Sequence, residues 1–274
     1  GMMFSSANSI NWGRLVPQIV YYVSAYCEML NKGDIKAGDE INVVVPTGNF
    51  GNILAAYYAK EMGVPIKKLV CASNANNVLT DFLRTGTYNR VRDFYTTVSP
   101  SMDILISSNL ERLLFLLSGM DDAIVREWMG ELSSKGSYKV SGDVFAKLSE
   151  LFDAGCCDDN GTKACIAKEF NEHKYLCDTH TAVAVSVYED YAKRTGDTTP
   201  TVIASTANPF KFSKAVLDAV RPGMTENLDE FEMVTALHDE TGEVCPPQLA
   251  NLKGKTPRFT GCCRKEDMEQ VVFD

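Results

Sequence analysis

At 274 residues, with 45% apolar and 23% charged residues, the chain has the balance of a globular protein able to bury a core, in one large domain or two small ones. A net charge of −9 argues against nucleic acid or an anionic membrane as the main partner, while leaving room for a small phosphorylated ligand held by a local anion site. No run reaches the roughly 20 apolar residues of a membrane helix. Gly1-Met2-Met3-Phe4-Ser5-Ser6 lacks the basic-then-apolar order of a signal peptide, so a cytoplasmic location is expected.

Leu15, Ile19, Tyr22 and Tyr26 recur at helical spacing and predict a helix from Trp12 to Leu30, closed by Asn31-Lys32-Gly33-Asp34. Ile41 to Val45 is apolar and rich in β-branched residues, and it predicts a buried strand. The turn Thr47-Gly48-Asn49-Phe50-Gly51-Asn52, a helix from Ile53 to Met62 and a second strand from Ile66 to Ala72 complete a βαβ unit with parallel pairing. Helices are predicted over Asn76 to Leu83 and Ser108 to Leu117. Residues 121–170 read as mostly helical, with a loop from Asp153 to Gly161. Thr181 to Arg194 predicts a helix behind a polar cap at Asp178-Thr179, followed by a strand from Thr201 to Ser205 and a helix from Asn208 to Val220. Nothing marks an internal boundary, so the expected architecture is a single α/β domain spanning residues 1–274, an open, mostly parallel sheet with helices on both faces.

The nine cysteines include the adjacent pairs Cys156-Cys157 and Cys262-Cys263, but no C-x-x-C spacing with a matching histidine pair, so reduced thiols are expected rather than a zinc site. Gly48 to Asn52 lies between a strand and a helix. Two glycines there permit a tight turn and a close approach of backbone to ligand, and N–H groups at a helix start converge on an anion. The spacing matches neither the mononucleotide nor the dinucleotide loop, so the segment is either a phosphate cradle or an ordinary βα turn. Asn8 and Ser9 precede the first helix and Arg14 lies near its start, where a cation opposes the helix dipole unless an anion meets it. Ser205 and Thr206 follow the third strand, at the same carboxyl edge as Gly48, where open α/β sheets place ligands. Each of these two clusters also reads as a simple helix cap.

Five ordered segments resemble threonine synthases of the bacterial and fungal type: Ser6-Ala7-Asn8-Ser9-Ile10-Asn11-Trp12-Gly13-Arg14, Pro46 to Asn52, Ala72-Ser73-Asn74 with Asn77 to Leu83, Asp178-Thr179-His180-Thr181-Ala182-Val183, and Ser205 to Phe212. The resemblance implies part of the large domain of a fold-type II pyridoxal-phosphate enzyme of threonine biosynthesis, converting O-phospho-L-homoserine and water into L-threonine and phosphate. By matching motif, Gly48, Asn49, Phe50, Gly51 and Asn52 would cradle the cofactor phosphate, and Ser205 or Thr206, with Thr206 preferred, would meet the pyridine nitrogen. Asn8, Ser9, Arg14 and Asn52 would hold the substrate phosphate. His180 receives no role beyond a packed or cap-adjacent histidine.

The resemblance places the Schiff-base lysine upstream of this sequence, together with the amino-terminal domain and most of the small domain. The chain alone is therefore expected to have no catalytic lysine and no activity, and its incomplete sheet to offer an edge for self-association. Lys211 reads as a helix-face residue, and Lys60, Lys67 and Lys68 as solvated surface lysines. Two alternatives stand beside this reading. One is another fold-type II lyase, against which the Asn8-Ser9-Arg14 cluster argues. The other is a non-catalytic phospho-ligand-binding or interaction module derived from a synthase.

Overall fold

A computed structural model describes residues 8–258 and 260–273. The opening Gly1 to Ser6, and the Ser6-Ala7 start of the first motif, lie outside the described residues. Six strands and twelve helices are described: α1 (Trp12–Lys32), β1 (Ile41–Pro46), α2 (Gly51–Glu61), β2 (Ile66–Ser73), α3 (Val78–Thr85), β3 (Thr87–Asn89), α4 (Leu110–Leu117), α5 (Asp122–Lys135), β4 (Ser137–Lys139), α6 (Gly142–Leu151), β5 (Phe152–Cys156), α7 (Asp159–His173), α8 (Thr179–Thr195), β6 (Thr201–Ile203), α9 (Ser213–Val220), α10 (Glu230–Thr241), α11 (Pro247–Ala250) and α12 (Met268–Phe273).

The four strands β5-β2-β1-β6 pair in that order, all parallel, with Val44 opposite both Val70 and Ile203. Strand periodicity of two decides the layering. Val43, Val45, Leu69 and Cys71 point into one core with residues of α1 to α6. Val44, Val70 and Ala72 point to the opposite face, where Val183, Ala184, Val187 and Tyr191 of α8 cover them. A third cluster joins α7, α8, α9 and α10 through Ile166, Ala182, Leu217 and Leu237. An α/β architecture with a mostly parallel sheet and helices on both faces is therefore present.

Two elements differ from the sequence reading. The predicted loop from Asp153 to Gly161 begins as strand β5, paired with β2 from Leu69↔Phe152 to Ser73↔Cys156. Phe152-Asp153-Ala154-Gly155-Cys156 has no β-branched residue, so its strand is imposed by a sheet neighbour rather than by local preference. The short antiparallel ladder β3–β4, with Tyr88 opposite Tyr138, was not anticipated either. Its two tyrosines stack at 5.3 Å between Phe82 and Trp128, an aromatic cluster assembled from four separated elements.

Asp197 ties the sheet together below the site. Its carboxylate accepts from Asn42 of β1 at 3.0 Å, Lys67 of β2 at 3.1 Å, Tyr191 of α8 at 2.7 Å and Thr199 ahead of β6 at 2.6 Å. Burial opposes its charge, but the hydrogen bonds from Thr199, Tyr191 and Asn42 outweigh that and hold the carboxyl well below the usual carboxylate range. Depression of the folded-state value means the stabilisation is complete above the unfolded value of about 3.9 and is lost as pH falls below it.

Two outcomes are expected. Asp197→Asn lowers stability by about 1–3 kcal/mol at neutral pH, and the gap from wild type closes as both are melted at falling pH below about 4; a gap independent of pH would refute the carboxylate's role. Gly155 leaves no room for a methyl group, since a Cβ there would sit 2.8 Å from Cγ1 of Val187 on α8. Gly155→Ala should cost about 1–3 kcal/mol in urea unfolding, and Val187→Ala in the same chain should recover part of it.

Candidate active site

All four parallel strands end at one edge, and the loops that follow β1 and β6 meet there. Ser9, Arg14, Gln18, Pro46 to Asn52, Ser101, Met102, His180, Thr206, Ala207 and Lys211 enclose a cavity of about 270 Å³. It adjoins a second of about 640 Å³, bounded by Arg14, Gln18, Tyr22, Asn52, Val202, Ser205 and Thr206. Of the residues singled out in sequence, Ser9, Arg14, Gly48 to Asn52, Ser205 and Thr206 are brought together. Asn8 is not part of the wall; its side chain accepts from the Ser9 hydroxyl at 3.1 Å and stands behind that residue.

The loop after β1 lines the cavity, and its carbonyls are engaged by another part of the chain. The Gly48 carbonyl accepts from the Ser107 hydroxyl at 2.9 Å, and the Asn49 carbonyl from both the backbone and side-chain amides of Asn109, at 3.1 and 2.9 Å. With the carbonyls turned outward, the N–H groups of residues 48 to 52 find no acceptor among the described residues. Helix α2 begins without a side-chain cap and without an acidic residue in its first turn. Its positive dipole end is thus left for something other than the protein to meet.

The glycines serve a different purpose from the one their sequence suggested. Neither Gly48 nor Gly51 has a positive φ; the left-handed turn is made by Phe50, at φ 62°. Its ring is fully buried and packs on Phe152 at 5.8 Å, which offsets a backbone cost of about 1–2 kcal/mol. Gly48 is required because a Cβ would fall 2.6 Å from the Ser101 carbonyl oxygen, whereas at Gly51 one would meet the Ser9 side chain at 3.3 Å, a tight contact. Both admit close packing by other segments of the protein.

Arg14 sits in the first turn of α1, whose cap is the Asn11 side chain accepting from Gly13 N–H at 2.9 Å. Asn52 is oriented by Tyr22, whose hydroxyl donates to its amide oxygen and leaves the NH₂ as donor. Burial pushes the Tyr22 phenol up, so it keeps that proton. Tyr22 shows in sequence only as a core position of an amphipathic helix. At the other wall, the Ser205 hydroxyl lies 3.3 Å from the Thr181 hydroxyl, whose proton goes to Asp178, and accepts from Tyr175 at 3.4 Å, whereas Thr206 borders both cavities.

Two residues read as structural prove to line the site. His180 is buried against Phe212 at 4.8 Å and accepts from Ser101 N–H at 3.2 Å through Nε2. Lys211 stands in a 3-10 turn (Pro209–Phe212) ahead of α9, not on a helix face. Asn208 caps that turn as the chain leaves β6, which keeps Lys211 at the sheet edge. Lys60 and Lys68 are half-buried rather than freely solvated, donating to the carbonyls of Ile66 and of Ser149 and Glu150. Lys67 is exposed and pairs with Asp197.

The chain is similar to known proteins in both sequence and structure. A model of the family described as "Threonine synthase, C-terminal" matches residues 181–272. Threonine synthase-like 1 of Homo sapiens is 47% identical over 223 residues, covering 81% of this chain and 30% of the human protein. The crystal structure of threonine synthase from yeast aligns with a TM-score of 0.82 and 34% identity, over 97% of this chain and 53% of that one. The X-ray structure of PLP-bound threonine synthase from Brucella melitensis gives a TM-score of 0.72 and 39% identity, over 88% and 48%. The chain spans about a third to a half of the length of these relatives. The chain has the α/β fold of these threonine synthase structures and is similar to a carboxy-terminal portion of threonine synthases.

Proposed function

We propose that this chain supplies the phosphate-binding half of a pyridoxal-phosphate site in an enzyme that converts O-phospho-L-homoserine and water into L-threonine and phosphate. The observation that carries the reading is the run of amides from residue 48 to 52, with carbonyls tied back, lining a cavity bordered by Arg14, Thr206 and Lys211. Such an amide nest at an uncapped helix start suits a phosphate. Among the described residues the cavity lining contains no carboxylate, although the whole chain is acidic.

In this reading Gly48 to Asn52 hold the cofactor's phosphate. Ser9, Arg14 and the Asn52 NH₂ hold the substrate's phosphate, with Asn8 buttressing Ser9; the guanidinium fork of Arg14 matches phosphate oxygens. Lys211 adds a positive charge at the same edge. Thr206 is the favoured partner of the pyridine nitrogen, because the Ser205 hydroxyl is already engaged, accepting from Tyr175 and turned toward the Thr181 hydroxyl, whose own proton goes to Asp178. A hydroxyl there leaves the ring nitrogen largely unprotonated. The cofactor supplies, when bound, the electron sink that loss of phosphate from the substrate requires. By the resemblance, the lysine that would hold it covalently and move protons on the substrate is assigned to the upstream part of a longer protein, and neither role is assigned to a residue of this chain.

The chain is expected to bind inorganic phosphate and pyridoxal phosphate without turnover. Gly48→Ala, which drives a Cβ into the Ser101 carbonyl, should abolish that binding while the chain stays folded. Arg14→Ala should weaken it by about tenfold or more, as expected for loss of a charge-assisted contact. Equal affinities in titrations of all three proteins would remove the site assignment. Borohydride reduction of the chain with pyridoxal phosphate should label no single residue; clean labelling of Lys211 would instead make that residue the covalent anchor and overturn the assignment of an upstream lysine.

A further inference from the structure

Two motifs remain outside the phosphate loop, Ala72-Ser73-Asn74 at the end of β2, which Ala75 and Asn76 follow, and Asp178-Thr179-His180 at the start of α8. Both converge on residues 97–103, the segment that lies on Gly48. On one side the Asp103 carboxylate accepts from the side chains of Asn74 at 2.8 Å and Asn76 at 3.0 Å, and from the Thr97 backbone and hydroxyl at 3.0 and 2.7 Å. Asn74 and Asn76 are themselves buried and joined, the Asn76 N–H donating to the Asn74 side chain at 2.9 Å. The cluster curls the segment into a 3-10 turn (Pro100–Met102).

On the other side stands His180. Its Nδ1 lies 3.1 Å from Oδ1 of Asp178, which also accepts from the His180 and Thr181 backbone amides, while Oδ2 accepts from the Thr181 hydroxyl. Burial pushes the Asp178 carboxyl up, but the hydrogen bonds from His180 and Thr181 hold it below its ordinary value. The shared proton therefore belongs to Nδ1, which leaves the Nε2 lone pair facing the Ser101 N–H at 3.2 Å. An imidazolium would set one N–H against another there.

From these contacts we infer that His180, oriented by Asp178, is a positioning residue for the phosphate loop: it holds the Ser101 amide so that the Ser101 carbonyl and the Met102 Cα stay seated on Gly48. The chain of contacts runs Asp178, His180, Ser101, Gly48, and it ends on the first amide of the nest. Gly48 has no side chain to interfere, and its own carbonyl is held from the opposite side by Ser107. The loop is thus gripped between two segments, and the amide directions follow from both grips. This inference rests on the phosphate reading of the nest but makes a separate claim about what shapes it.

The test uses the 274-residue chain. Side-chain ¹⁵N NMR should find His180 neutral with the proton on Nδ1; a proton on Nε2 would overturn the inference without any variant. His180→Leu keeps bulk but removes the acceptor, and should weaken inorganic phosphate and pyridoxal phosphate binding by about tenfold, with faster amide exchange at Ser101. His180→Gln, which restores an acceptor near the Nε2 position, should recover most of that loss. Full affinity in the leucine variant, with wild-type exchange at Ser101, would discard the positioning role and leave the phosphate site standing. Absence of binding by wild type would instead discard the phosphate reading, and the tautomer with Ser101 exchange would then decide the grip alone. Should the leucine variant not fold, the glutamine variant and the tautomer give the same decision.

Discussion

The N–H groups of residues 48 to 52 impose a requirement that much of the surrounding structure serves. A helix start normally consumes its free donors with a capping side chain or an acidic first turn. Here neither is present, and the adjoining carbonyls are taken by Ser107 and Asn109 from a distant part of the chain. Leaving donors without a protein acceptor is costly where they are buried, and Phe50 and Gly51 are buried residues. In the proposed reading, an anion completes the set.

That arrangement depends on long-range support. Ser107 is placed through Tyr88, whose hydroxyl accepts from Ser107 N–H at 2.9 Å and donates to the Leu105 carbonyl at 3.1 Å. Tyr88 is in turn fixed by stacking on Tyr138 across the small antiparallel ladder. The aromatic cluster below the sheet and the amides above it therefore belong to one mechanical unit. Asp197 does comparable work at the opposite end of the strands, where a single carboxylate gathers donors from β1, β2, α8 and the approach to β6.

Electrostatics of the site run against those of the chain. A molecule with net charge −9 repels anions at long range, but at the sheet edge the start of α2, Arg14 and Lys211 act at contact distance. In the proposed phosphate reading, selectivity would come from local geometry rather than from overall attraction. Tyr22 contributes by fixing which end of the Asn52 amide faces inward, a choice that the asparagine alone leaves open.

Local patterning was enough to read α1, β1, the turn after it, α2 and β2 directly, because apolar period and bounding glycines act within a few residues. Motif order identified the residues that meet at the carboxyl edge. Strand β5 was illegible because Asp153, Ala154 and Gly155 carry no strand preference, and only pairing with β2 makes them one. The purpose of Gly48 was equally hidden: its φ is ordinary, and what forbids a side chain is the Ser101 carbonyl, more than fifty residues away. His180 and Lys211 looked like packing and surface residues until the turns at Ser101 and Pro209 brought them to the cavity. Sequence alone determined which segments become strands and helices where the preference is local, and which residue types are available at the strand ends. Tertiary structure decided which donors go unpaired and which side chains face them, because those depend on contacts between segments that no local preference encodes.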